Sequence, residues 1–150
     1  MIPNGSEGVG HLSTRIMTDL LPKSADAYMG ADLAMLASLV DMVGEDFDRA
    51  ADVLVRDGED IRAIFREALP HTQDQALTTR MTAALETRPA SLRVRDLSAW
   101  ADDDLRLLIE LHAAVETAQA EGAPWAAALD RTIWTFLDAY VARRSYASSF

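Results

Sequence analysis

From Met29 to Leu69 an apolar residue returns every three or four positions, and this period constrains the chain more than any other feature. Leu33, Leu36, Val40, Val43, Phe47, Leu54, Ile61, Phe65 and Leu69 fall within about 60° of one direction when stepped at helical spacing. Such a stripe demands helix with one covered face. Gly44 lies inside it at a cost of about 1 kcal/mol relative to alanine, but the stripe crosses it in register. The pattern predicts one helix from about Ala25 to Arg56, capped by Ser24 and about 48 Å long. At "RDGED" it predicts a break, with Asp57 as cap and Gly58, Glu59 and Asp60 as an acidic first turn. A second helix then runs from about Glu59 to Leu69 and stops at Pro70.

The same period governs most of the remaining chain. Leu12, Ile16, Met17, Leu20 and Leu21 form a short amphipathic segment ended by Pro22. "HTQDQALTTRMTAALETRP" opens on a capping box, Thr72-x-x-Gln75, and closes at Arg88-Pro89. "ASLRVRDLS" alternates like a strand but is short and unpartnered, and reads as an extended linker. Ser98 is placed as the cap of a helix reaching Glu121, and "EGAP" puts glycine past one helix and proline at the start of the next. Residues 97–146 therefore read as an αα-hairpin. The expected fold is all-α: a single-domain antiparallel helical bundle over 12–150, with three long helices, two or three short ones and a closing αα-hairpin. Residues 1–11, with three glycines and few apolar side chains, read as a flexible tail.

Charge narrows the function classes. Twenty-four acids against 14 bases give a net −10, which repels phosphate backbones and argues against direct nucleic-acid binding. Much of the excess lies in 24–70, where 11 acids face four arginines. The dominance of arginine over lysine suits a GC-rich bacterium. Without cysteine there is no disulfide and no thiolate metal site. No apolar run approaches the ~20 residues that cross a bilayer, and the first residues lack the features of a signal peptide. The expectation is a cytoplasmic protein with no membrane partner and no cofactor.

One polar group interrupts an apolar face. In "ELHAAVETAQ", His112 shares a face with Leu105, Leu108 and Val115, with Glu116 one turn on and Gln119 beyond it. A histidine oriented by a carboxylate can serve as base or ligand, and His112, Glu116 and Gln119 are one candidate ligand-binding trio. The alternative is a packed histidine satisfied by Glu116. A metal needs three or four ligands, and a di-iron bundle needs paired Glu-x-x-His motifs that are absent here. Asp41, Glu45, Asp48 and Asp52 make an acidic stripe that reads as a solvated face paired with Arg49 and Arg56. "GSEGVGHLS" lacks the strand and lysine of a phosphate loop. Trp134 lies off its helix's apolar stripe, as Met35 and Met42 lie off theirs; all three suit a subunit interface or packing within the chain. These features favour a protein acting through protein–protein contacts, as a homodimer or with a protein partner. The alternatives are an interhelical pocket at His112, binding a ligand or acting as an enzyme, and an acidic decoy for a nucleic-acid-binding protein.

Overall fold

The computed structural model describes residues 4–147, and there the helical period is realised in five α-helices, with no strand among the described residues. They are α1 (Gly5–Arg15), α2 (Ala27–Ala68), α3 (Gln75–Glu86), α4 (Val94–Ala120) and α5 (Ala126–Ala142). A π-helical turn, Ile16–Leu20, and a 3-10 turn, Leu21–Lys23, separate α1 from α2. The described residues fall into two compact units: residues 4–50 with 145–147, and residues 51–144.

In the first unit, α1 occupies residues expected to be a tail; Met1 to Pro3 lie outside the described residues. The Asn4 side chain accepts the Glu7 backbone N–H at 2.9 Å, and the Glu7 carboxylate accepts that of Asn4 at 3.4 Å, a reciprocal capping box. Glycine serves proximity here, not looseness. A Cβ on Gly5 would stand 2.4 Å from the Phe47 ring, and one on Gly44 would stand 3.3 Å from Val9 Cγ1. The Ser13 hydroxyl donates to the Ala37 carbonyl at 3.1 Å, tying α1 to α2. At the other end of the chain, Tyr146 Oη donates to Asp46 at 2.8 Å and Arg49 donates to the Ser145 carbonyl at 2.7 Å.

Helix α2 starts after Asp26, whose carboxylate accepts the Tyr28 N–H at 3.0 Å, in place of Ser24. It then runs unbroken through Gly58, against the break expected at "RDGED". Two long-range contacts explain the difference. Asp57 is fully buried, accepting from Arg143 and meeting the Arg144 guanidinium at 2.7 Å, off the hydrogen-bond line. A Cβ on Gly58 would stand 2.3 Å from Trp100, so glycine there is a notch for an indole.

The second unit holds the core. Ile61, Ile64 and Phe65 of α2 are buried with Leu77 and Met81 of α3, Leu108, Leu111 and Val115 of α4, and Leu129, Ile133 and Phe136 of α5. Burying each contributes roughly 1.5–3 kcal/mol. Asp74, rather than Thr72, caps α3, accepting from Ala76 and Leu77; a carboxylate beside a helix N-terminus is also favoured by the dipole. Helix α4 begins at Val94, four residues before Ser98, and absorbs half of the expected linker. Ser91 takes the turning role, donating to Asp96 at 2.5 Å and accepting the Arg93 N–H at 3.1 Å. Between α4 and α5, Gly122 adopts φ +84°, a left-handed conformation suited to glycine, and Ala123 N–H closes on the Ala118 carbonyl at 2.9 Å.

Candidate functional sites

His112 lies half-buried on α4, but Glu116 is not its partner. Its Nε2 sits 2.9 Å from Asp130 Oδ1 on α5, and its ring meets Trp134 edge-on with centroids 5.7 Å apart. Asp130 and Trp134 are one turn apart on α5, so the hairpin supplies a carboxylate and an indole to the same imidazole. Glu116 and Gln119 are exposed. The structure thus brings His112 together with Asp130 and Trp134, not with Glu116 and Gln119. A carboxylate–imidazole pair of this kind fixes ring orientation; general-base chemistry would also need a nucleophile or polarising group beside it. Beside α4, a cleft of about 330 Å³ is lined by Leu111, Ala114, Val115 and Ala118 with His71 and Trp125, and takes in none of the expected trio. His71 stacks on Trp125 there, with centroids 5.1 Å apart and planes 7° from parallel.

Two of the four acids of the stripe, Glu45 and Asp52, are paired with arginine. Arg49 lies 3.8 Å from Glu45 and 3.7 Å from Asp46, and Arg56 lies 3.0 Å from Asp52. Among the described residues no group of three or more His, Asp or Glu converges as a metal site. "GSEGVGHLS" is part of α1, and His11 is exposed upon it.

The first unit presents a different surface. Leu12, Met29, Leu36, Leu39, Val43 and Phe47 are large apolar residues between 47% and 67% exposed. Val9, Leu12, Leu36, Leu39, Val40 and Val43 line a shallow groove of about 250 Å³ between α1 and α2, walled entirely by aliphatic side chains. Only Ser13 and Ala37 are fully buried among the described residues of 4–50. By length and composition alone α2 is apolar enough to cross a bilayer, which a reading confined to unbroken apolar runs missed; residues 27–44 hold two charges, Asp32 and Asp41. Of the residues expected at an interface, Met35 is 54% exposed, Met42 is half-buried and Trp134 is 53% exposed with its ring edge against His112. The helical period marks the stripe that needs a cover; it carries no signal for whether this chain supplies one. No known family model, curated protein or solved structure matches the chain.

Proposed function

We propose that the protein works through protein–protein contact, and that a second copy of the chain covers the apolar face of α1 and the first half of α2. The observation that carries this reading is the face itself. Its six large side chains leave on the order of 700 Å² of apolar surface exposed, beyond an ordinary monomer's largest patch and near the ~800 Å² per partner of a standard interface. Two such helical hairpins, paired face to face, make a four-helix arrangement in which each stripe covers the other. A self-complementary face of this kind suits a two-fold dimer.

Charge favours a protein over a lipid surface as the cover. Residues 4–50 hold eight acids and three bases. Helices that lie on membranes carry lysine and arginine on the polar face, where this one carries Asp41, Glu45 and Asp48. Light scattering at about 100 μM, above the Kd of even a weak dimer, is expected to give twice the chain mass. Leu39→Glu and Val43→Glu are expected to give a monomer of unchanged helical circular dichroism. A wild-type monomer, or flotation of the protein with lipid vesicles, would overturn the reading. Dissociation by Trp134→Ser but not by Leu39→Glu would move the interface to α5.

A further inference from the structure

A second feature, in residues 51–144, points to a small ligand. Arg62 and Arg66 stand one turn apart on α2, and with Arg88, just past α3, and Trp100 of α4 they line a cleft of about 340 Å³. Three guanidinium groups in one cleft are unexpected in a chain of net charge −10. Among the described residues nine of the 13 arginines have a carboxylate within 4.0 Å; Arg66 and Arg88 are two of the four that do not.

Arg62 is held from three sides and has one guanidinium nitrogen left without a partner among the described residues. It is 4% exposed; its Nε donates to Asp104 at 3.0 Å, its Nη1 donates to the Thr87 carbonyl at 2.8 Å, and its plane lies 4.4 Å over the Trp100 ring. Its Nη2 is buried with no partner among the described residues, and so is Trp100 Nε1. A buried donor left unpaired is costly, and these two share a cleft with two further guanidinium groups free of carboxylates. Both unsatisfied groups of this cleft are donors, so the missing chemistry is an acceptor. Arg88 is steadied for that role by its own contacts, donating to the Leu85 and Thr87 carbonyls at 3.3 and 3.2 Å. Burial pushes the carboxyl of Asp104, the ion-pair partner of Arg62, above its ordinary range, against the pull of the guanidinium. Glu59 is the one acid in the lining, and Leu92 gives the cleft an apolar wall.

We infer that this cleft binds a small molecule through an oxyanion group, a phosphate or a carboxylate, held by Arg62, Arg66 and Arg88 with the Trp100 indole N–H as a further donor. Bidentate guanidinium forks match such oxygens, and the volume admits a group of this size with a short apolar extension. The inference is independent of the dimer: its residues lie in 51–144, while the apolar face lies in 4–50.

The test is titration of the full-length protein with inorganic phosphate, pyrophosphate and citrate at constant ionic strength, read by calorimetry and by the Trp100 indole N–H resonance. Saturable binding with displacement of that resonance is expected, and the tighter of pyrophosphate and citrate tells phosphate from carboxylate. Arg66→Gln and Arg88→Gln are each expected to weaken it roughly tenfold, the size of one lost charge-assisted hydrogen bond, without altering the melting temperature. Arg131→Gln, an arginine outside the cleft, is expected to leave it unchanged. Absence of saturation at tens of millimolar, equal effects from chloride, or binding indifferent to Arg66 and Arg88 would each overturn the inference.

Discussion

Residues 27–50 and 51–68 belong to one helix and carry one apolar stripe, yet their surroundings differ. In the second stretch Ile61, Ile64 and Phe65 are almost wholly buried, because α3, α4 and α5 each turn an apolar face onto them. In the first, α1 is the one α-helix beside Leu36, Leu39, Val43 and Phe47 among the described residues of its unit, and about half or more of each faces outward. Two helices cannot enclose a stripe more than about 100° wide, whereas four can. Periodicity states a demand for cover; the number of helices in reach decides whether the chain meets it alone.

Phe47 and Phe65 isolate that contrast, since they lie 18 residues apart, about five turns, on the same face of α2. Phe65→Ala opens a cavity in the core and is expected to cost about 3–5 kcal/mol in chemical denaturation. Phe47→Ala, at a side chain 67% exposed, is expected to stay within about 0.5 kcal/mol for the monomer while weakening self-association. Similar losses at both sites in the monomer would show that the two stretches are equally covered.

Two of the three glycines within α2, Gly44 and Gly58, sharpen the same comparison at smaller scale. Gly58→Ala drives a methyl against Trp100, which is pinned by Arg62 on its face, and is expected to cost about 1–3 kcal/mol. Gly44→Ala meets the Val9 side chain, with Cγ1 at 3.3 Å, and the gain in helix propensity of about 1 kcal/mol offsets the crowding. Thermal melts should therefore separate the pair, with Gly44→Ala at or above wild type. A destabilised Gly44→Ala would mean that α1 is clamped as firmly as the second unit.

These residues also show what the sequence made legible. Helical period and the closing hairpin are local properties, and both are found where expected. "RDGED" was misread because Asp57 and Gly58 answer to Arg143, Arg144 and Trp100, between 42 and 87 residues away. A glycine that accommodates an indole looks, by itself, like one that ends a helix. The N-terminal glycines misled in the same way, reading as a tail when Gly5 is seated against Phe47. At His112, helical spacing offered Glu116, one turn away on its own helix. The partner it has, Asp130, is brought there by the α4–α5 turn, and only the pairing register of two helices could have named it.

The smallest expected effects come from two carboxylates of α4 that titrate in opposite directions. Asp104 is buried, and desolvation raises its pKa above the ordinary 3.8 although Arg62 opposes it. Its contribution to stability is present below pH 3.8 and is lost as pH rises through the raised value. Glu110 is half-exposed and forms a bidentate pair with Arg80 of α3, whose hydrogen bonds lower its pKa below the ordinary 4.5. Its contribution is present above pH 4.5 and is lost as pH falls through the lowered value. Glu110→Gln should therefore melt slightly below wild type at pH 7 and converge with it under acid, because the interaction removed is one that acid removes as well. The change at pH 7 is expected to be small, since a solvated pair is screened. Melting curves between pH 2 and 7 in low salt provide the measurement. A Glu110→Gln deficit that persists unchanged at pH 2 would show that the side chain acts through packing on α3, and that its charge contributes nothing.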